Sequence, residues 1–204
     1  MKLFLLSCGS EANNMAIKGT AFQYQNRGKH IITTAIEHSS VYETCKELEK
    51  FFGFEVTYLG VDHKGRISLE ELEKSIRDDT ILVSIMYVNN EIGVINPIDE
   101  IKKIVKKYDK VKLHFDMVQA LGKLPIDLND VDLASFSAHK IYGLKGSGLL
   151  FKRRSTTIVP LISGGQQEFS LRGGTSNACT NIVFAKTLRL ALDNFEQKIN
   201  ILKI

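Results

Sequence analysis

The chain lacks the features that mark membrane proteins and nucleic-acid-binding proteins. Its longest apolar run, residues 81–88, is interrupted by Ser84, whereas a membrane span needs about 20 residues. Charge of one sign is not in excess, because 27 Lys and Arg against 23 Asp and Glu give a net charge of +4. Such a small charge does not indicate nucleic acid. We therefore expect neither a membrane nor a nucleic acid as partner.

Cysteine is scarce as well. Cys8, Cys45 and Cys179 form no CxxC pair and are odd in number. We therefore expect a reducing compartment such as the cytoplasm and no disulfide framework. We also predict no metal site. The apolar residues ahead of Cys8 are too few for the core of a signal peptide, which needs about 7–15 residues. They are better explained as a short buried strand.

Short apolar runs alternate with amphipathic ones, and this pattern predicts an α/β fold. We expect a mostly parallel sheet with helices on both faces. Strands are predicted at residues 3–7, 31–35, 55–59, 81–88, 112–115, 133–137 and 148–152. The last follows a tight glycine-rich turn and therefore suits an antiparallel strand. Helices are predicted at residues 9–25, 41–52 and 68–77, from residue 97, and from residue 180 to the end.

Two patterns mark helix starts. Ser68 and Glu71 form a capping box, in which Ser68 accepts from the Glu71 N–H and Glu71 reaches back. Asn96 is predicted as the cap of the next helix, with Pro97 at the first helical position.

The chain has neither a repeat nor a linker, so we expect one domain over residues 1–204. Because it starts inside a strand and stops inside a helix at Ile204, we expect a piece of a longer protein.

Polar residues follow the predicted strands. Open parallel sheets bind ligands outside the carboxyl ends of their strands, so these residues are expected to meet at one edge. They include Gly9, Ser10, His38, Asn90, Asp116, Gln119, Ser137, His139 and Lys140.

Each of these residues also has an ordinary explanation. Gly9 and Ser10 at a helix start suit a phosphate, or form a plain N-cap. Asp116 ends an apolar strand, where a carboxylate needs a cation or several donors, or it caps the next segment. His38 on its own is a packed or surface histidine. Lys140 follows small and apolar residues that would desolvate it and favour a nucleophile, although an isolated lysine there is a solvated loop residue.

The combination fits pyridoxal 5′-phosphate. This cofactor requires an amine for a Schiff base, a carboxylate for its pyridinium nitrogen and a helix N-terminus for its phosphate. Lys140, Asp116 and Ser10 supply these groups, and His38 would offer a flat surface against the ring.

Six stretches, in order, resemble the cysteine desulfurases of the NifS/IscS type, which belong to the class V aminotransferase group of fold-type I pyridoxal phosphate enzymes. The matching region runs from about residue 6 to residue 194. The resemblance implies that residues 1–204 are the central part of the cofactor-binding large domain, truncated at both ends and without the small C-terminal domain. The stretches are Gly9-Ser10-Glu11-Ala12-Asn13-Asn14, Glu37-His38-Ser39-Ser40-Val41, Val88-Asn89-Asn90-Glu91-Ile92-Gly93, Asp116-Met117-Val118-Gln119, Ser135-Phe136-Ser137-Ala138-His139-Lys140-Ile141-Tyr142-Gly143 and Arg172-Gly173-Gly174-Thr175.

The resemblance also implies a role for each candidate residue. Lys140 would bond to the cofactor and move protons, Asp116 would pair with the pyridinium nitrogen, and His38 would stack on the ring and act as an acid or base. The remaining contacts are implied for Gln119 and Asn90 at the ring oxygen or substrate, for Gly9, Ser10, Ser137 and His139 at the phosphate, and for Thr175 at the phosphate of the other subunit of a homodimer.

The implied reaction removes sulfur from L-cysteine and gives L-alanine and an enzyme persulfide for an iron–sulfur scaffold or another sulfur-acceptor protein. Three departures from the family are mild: Ser10 replaces the usual Thr, Met117 a smaller residue, and Leu144 a Pro. The family's nucleophilic cysteine and the arginine for the substrate carboxylate have no match among these 204 residues. We therefore expect this chain alone to be incomplete for turnover.

Two alternatives remain open. One is another class V enzyme, such as a selenocysteine lyase or a small-amino-acid aminotransferase, although the stretches at residues 89–93 and 140–143 favour the desulfurase. The other is a truncated, non-catalytic chain that binds the cofactor or a partner.

Overall fold

The structure is a computed structural model that describes residues 2–193 and Phe195. Its strands and helices alternate along the chain, as the apolar pattern predicts. The strands are β1 (Lys2–Leu6), β2 (His30–Thr34), β3 (Glu55–Leu59), β4 (Thr80–Met86), β5 (Lys112–Asp116), β6 (Leu133–Ser137) and β7 (Gly148–Lys152). The helices are α1 (Gly9–Tyr24), α2 (Ser39–Phe52), α3 (Leu69–Ser75), α4 (Ile98–Val105), α5 (Gln167–Ser170) and α6 (Ala178–Asp193), with a 3₁₀ turn at Ala138–Ile141. The C-terminal part of the last predicted helix lies outside the described residues.

The seven strands form one mixed sheet in the order β1-β7-β6-β5-β4-β2-β3. Strands β2 to β6 pair in parallel, whereas β7 is antiparallel to both of its neighbours, β6 and β1. Strand β1 therefore runs in the same direction as the parallel strands. The predicted α/β fold is confirmed, as is the antiparallel β7. All strands except β7 end at the same edge of the sheet.

Helices cover both faces of the sheet. Strand β4 is buried along its whole length and rich in β-branched residues, which is typical of a strand between two helical layers. On one face, α1 and α2 pack against the sheet through Ile17, Val41, Leu48, Ile31 and Leu82. On the other face, α3 and α4 pack through Leu72, Ile101, Val83 and Phe115. Among the described helices, none is both long and apolar enough to cross a membrane.

Two predicted helix starts differ from the structure. Asn96 is not the cap of α4, because its Nδ2 donates to the Met86 carbonyl at 2.8 Å. Pro97 stands at the cap position and makes no side-chain hydrogen bond there. The capping box is half formed: Ser68 Oγ accepts from the Glu71 N–H at 3.2 Å. The Glu71 carboxylate, however, accepts from the Gly60 N–H at 3.5 Å instead of reaching back.

Candidate active site

A cleft of about 350 Å³ lies where β1, β4, β5 and β6 end. The structure brings nine of the ten predicted site residues together in its lining, although they come from five separate stretches of the chain. The nine are Gly9, Ser10, His38, Asn90, Asp116, Gln119, Ser137, His139 and Lys140.

Thr175 is the exception. It is exposed and lines a separate pocket with Arg172 and Asn177. Arg172 ties this segment to α1, because its Nε donates to Glu11 Oε1 at 2.8 Å. Burial alone would raise the pKa of Glu11, but hydrogen bonds from Arg172 and Ser7 outweigh it and hold that pKa below its usual range. The role of Thr175 at a partner subunit stays a prediction.

Asp116 forms the floor of the cleft and is only 6% exposed. Its Oδ1 accepts from the Val118 N–H at 2.9 Å, and its Oδ2 accepts from Asn13 Nδ2 at 2.7 Å. Among the described residues it forms no ion pair. Burial raises its pKa, whereas the two hydrogen bonds and the nearby His38 oppose that rise. Asp116 is therefore a carboxylate held by neutral donors, with room for a cationic group in front of it.

The start of α1 closes one end of the cleft. Cys8 caps this helix, and its Sγ accepts from the Glu11 N–H at 3.4 Å. A Cβ on Gly9 would lie 3.0 Å from Val118 Cγ2 and 3.3 Å from Ser137 Cβ, so any larger residue would crowd both side chains. Because the first N–H groups of a helix have no partner within it, this end presents donors to an anion.

Ser137 and His139 lie opposite the start of α1. Ser137 is buried, and its Oγ is 2.9 Å from His139 Nδ1. Burial lowers the pKa of His139, and the positive charges of Lys140 and Lys145 lower it further. Lys140 itself is half-buried in the 3₁₀ turn after β6. It forms no ion pair among the described residues, so its amine is available to a ligand in the cleft.

Asn90 and Gln119 each use one half of the side-chain amide within the protein. Asn90 Nδ2 donates to Glu91 Oε1 at 2.6 Å, and Gln119 Oε1 accepts from Lys123 Nζ at 2.9 Å. Burial, together with the charge of Lys140, lowers the pKa of Lys123. An acceptor on Asn90 and a donor pair on Gln119 remain for a ligand.

His38 lies at the mouth of the cleft and caps α2. Its Nδ1 accepts from the Ser40 N–H at 3.1 Å and lies 2.8 Å from Ser40 Oγ. The sequence predicts that the His38 ring stacks on a cofactor. The hydrogen bonds to Ser40 at the start of α2 fix the orientation of this imidazole ring.

Three polar residues at the site were given no role by sequence reasoning. Asn13 and Ser40 line the cleft, and Glu37 lies just behind it. Glu37 Oε1 accepts from the Met86 N–H at 2.9 Å, whereas its buried Oε2 has no partner among the described residues. Burial, aided by the charge of Asp116, raises the pKa of Glu37 to about 8. The sequence could have indicated Asn13, because it follows Gly9 by one turn of α1 and therefore lies on the same face of that helix.

Comparison with known families decides the relationship. The family described as aminotransferase class V matches residues 2–203. The chain belongs to this family. It is 49% identical over 200 residues to the cysteine desulfurase IscS of Dictyoglomus turgidum, covering 97% of this chain and 50% of the relative. This class V chain therefore spans about half the length of the relatives it matches.

Solved structures agree with this relationship. A NifS-like protein superposes with a TM-score of 0.93 at 44% identity, covering 96% of this chain and 54% of the other. A structure entitled "SspA in complex with cysteine" superposes with a TM-score of 0.85 at 42% identity, covering 95% of this chain and 55% of the other. The predicted resemblance to desulfurases of the NifS/IscS type is confirmed.

Proposed function

We propose that this class V chain binds pyridoxal 5′-phosphate and forms part of a cysteine desulfurase, which converts L-cysteine to L-alanine and a protein-bound persulfide. The observation that carries the proposal is the pairing of two groups in one cleft. A buried Asp116 carboxylate without a cationic partner among the described residues and the half-buried Lys140 amine both line it. The desulfurase assignment is supported by the relatives named above.

The residues present fit this cofactor at three points. Asp116 would accept a hydrogen bond from a protonated ring nitrogen, whose positive charge would offset the cost of burying the carboxylate. The α1 start, Ser137 and His139 offer donors to a phosphate dianion at a place where a side chain on Gly9 would crowd Val118 and Ser137. Lys140 offers the amine to an aldehyde carbon.

When bound, the cofactor supplies an electron sink for the bonds broken at the amino acid Cα. The chain's own residues would orient the cofactor and the substrate and exchange protons with them. Asp116 would keep the ring nitrogen protonated, and Lys140 Nζ would exchange protons with the substrate Cα. The free donor pair of Gln119 and the free acceptor of Asn90 hold the ring oxygen or the substrate. His38 would lie against the ring and act as an acid or base toward the reacting substrate.

The partners are proposed at the same level. We propose a cytoplasmic homodimer in which Thr175 of one subunit contacts the phosphate held by the other. Its support is the exposed position of Thr175 outside the cleft and the exposure of Ile92 and Tyr142, which are 61% and 94% accessible. An iron–sulfur scaffold or another sulfur-acceptor protein would take the persulfide sulfur. Sedimentation equilibrium with and without pyridoxal phosphate tests the dimer, and a monomer under both conditions would exclude it.

Covalent trapping tests the cofactor assignment. The protein is loaded with pyridoxal 5′-phosphate, reduced with borohydride and digested, and the modified peptide is identified by mass. We expect the label at Lys140 and its loss in Lys140→Ala. Lys145→Ala is the matched control, because Lys145 is an exposed lysine of the neighbouring loop outside the cleft lining. A label spread over surface lysines would refute the assignment.

The substrate is tested separately in the loaded protein. Absorbance is recorded on addition of L-cysteine, L-alanine and L-aspartate at equal concentration. We expect L-cysteine and its product L-alanine to perturb the cofactor spectrum at lower concentration than L-aspartate does. Equal responses to all three amino acids would favour an aminotransferase of broader specificity.

A further inference from the structure

One hydrogen-bond chain connects the floor of the cleft to its mouth. Asn13 Nδ2 donates to Asp116 Oδ2 at 2.7 Å and to Ser40 Oγ at 2.8 Å. Ser40 Oγ in turn lies 2.8 Å from His38 Nδ1. Asn13 is only 1% exposed. A single buried amide group of α1 therefore holds a residue at the end of β5 and a residue at the start of α2.

The donor and acceptor at each step are fixed by elementary bookkeeping of hydrogens. A carboxylate only accepts, so the Asn13 amide nitrogen must face Asp116; the reversed amide would place two oxygens in contact. The same nitrogen uses its second hydrogen on Ser40 Oγ. The Ser40 backbone N–H can only donate, and it points at His38 Nδ1 at 3.1 Å. That nitrogen therefore carries a lone pair, and the Ser40 hydroxyl donates to it.

We propose that Asn13 is a positioning residue that acts through Ser40, and that the chain holds His38 as the neutral tautomer with its proton on Nε2. Asn13 orients the Asp116 carboxylate with one hydrogen and the Ser40 hydroxyl with the other. The cap at the start of α2 and the chain from Asp116 thus impose the same tautomer on His38. Among the described residues His38 Nε2 has no hydrogen-bond partner.

This inference deepens the proposed function and rests on it in one respect, namely that His38 faces a reacting substrate. With Nε2 protonated and Nδ1 occupied, neutral His38 presents its Nε2–H to the substrate as a hydrogen-bond donor. It acts as a general acid only once Nδ1 has also taken a proton, because a neutral imidazole does not release its remaining N–H proton. The orientation of Asp116 and the donor state of His38 are therefore set by the same amide.

The tautomer is measured without cofactor or substrate. Protein labelled with ¹⁵N-histidine is examined by long-range ¹H–¹⁵N NMR at pH 8, above the ordinary titration range of histidine. The His38 signals are assigned from their absence in His38→Gln. We expect Nδ1 of His38 to resonate as an unprotonated nitrogen and Nε2 as a protonated one. The opposite tautomer, or an equal mixture of the two, would overturn the proposal.

Variants test the connection to Asn13. Asn13→Ala should shift the His38 signals, although the two residues do not touch. The matched control is Asn14→Ala, because among the described residues the Asn14 side chain bonds to the Ser10 carbonyl of its own helix alone. In a Ser40→Ala background Asn13→Ala should no longer move His38, whereas in Ser40→Thr, which retains the hydroxyl, the shift should return. An equal shift in both backgrounds, or none in the wild type, refutes the relay.

Two buried histidines report on folding in the same spectra. His30 is held by Thr57 and Thr80, and His114 by Ser84 and Ser135. Unchanged signals from both show that a variant is folded. If Asn13→Ala disturbs them, the comparison of Ser40→Ala with Ser40→Thr decides alone, because loss of the hydroxyl should move His38 and its retention should not.

A titration with pyridoxal 5′-phosphate separates this proposal from the proposed function. Asn13→Ala removes a hydrogen bond to a charged group, so its dissociation constant for pyridoxal phosphate should rise about 10-fold, while that of Asn14→Ala stays unchanged. If the wild-type protein does not bind the cofactor, the proposed function fails, and the NMR result still decides the relay. Equal affinities for Asn13→Ala and the wild type would overturn the role of Asn13 in orienting Asp116.

Discussion

Replacing Glu37 by glutamine should change the way stability depends on pH. The pKa of the buried Glu37 carboxyl is raised to about 8 from an ordinary 4.5. The folded protein therefore holds a proton here that the unfolded chain has released, and stability falls as the pH rises between these values. The slope is about 1.4 kcal/mol per pH unit, so the loss approaches about 5 kcal/mol by pH 8. Since a whole domain is stable by only about 5–15 kcal/mol, this loss is large.

Glutamine reproduces the protonated acid. Its oxygen replaces Glu37 Oε1, which accepts from the Thr34 hydroxyl and the Met86 N–H, and its NH₂ replaces the unpartnered Oε2. Glu37→Gln should therefore match the wild type near pH 5 and exceed its stability by about 5 kcal/mol near pH 9. Glu43→Gln on the exposed side of α2 is the matched control.

The assay is urea unfolding followed by circular dichroism, at one-unit steps from pH 5 to pH 9 in the cofactor-free protein. Each variant is compared with the wild type at the same pH, so that other titrating groups cancel. A difference that grows with pH for Glu37→Gln and stays flat for Glu43→Gln is the expected result. Parallel curves for Glu37→Gln and the wild type would show that Glu37 is ionised in the folded protein, and would refute the reasoning.

Further predictions concern packing, acid stability and thiol reactivity. Gly9→Ala should lower the unfolding free energy by about 1–3 kcal/mol in urea melts, because its Cβ meets Val118 and Ser137. Gly60→Ala should not, because no atom of the described residues lies within 4 Å of the added Cβ. Burial lowers the pKa of His114 to about 3, so the wild type should lose stability as the pH falls below about 6.5, and His114→Asn should lose less; equal losses would contradict this. Iodoacetamide should label exposed Cys179 in the native protein but reach buried Cys45, whose thiol pKa burial raises, only on unfolding, as read by mass spectrometry.

Most of the site could be predicted from the sequence, because parallel strands all end at the same edge of the sheet. This holds whatever their order within the sheet. Asp116 and Ser137 both follow buried apolar runs, and parallel pairing places their side chains at one edge. The position of Thr175 was not predictable in this way. It lies in a segment of turns and short helical pieces after β7 that has no apolar period, so nothing in the pattern fixes its direction.

Local sequence patterns do not predict which partner a side chain bonds to. Asparagine is a common helix cap, but Asn96 lies beside the end of β4. Its side chain donates to the carbonyl of Met86, the last residue of β4, instead of capping α4. The contact between Asn13 and Ser40 likewise depends on how α1 and α2 pack. Neither neighbour is near in sequence, so only the folded structure reveals these bonds.

The pairing of β1 with β7 has a consequence for how the protein is made. Leu6 pairs with Gly148, and a Cβ on Gly148 would lie 2.3 Å from the Cys8 carbonyl carbon. The segment that leads into α1 therefore cannot complete its pairing until β7 (Gly148–Lys152) has been synthesised. During translation most of the sheet can assemble while β1 remains an unpaired edge. The anion-binding end of the cleft should consequently be the last part to form, and a chaperone that shields β1 should raise the yield of folded protein.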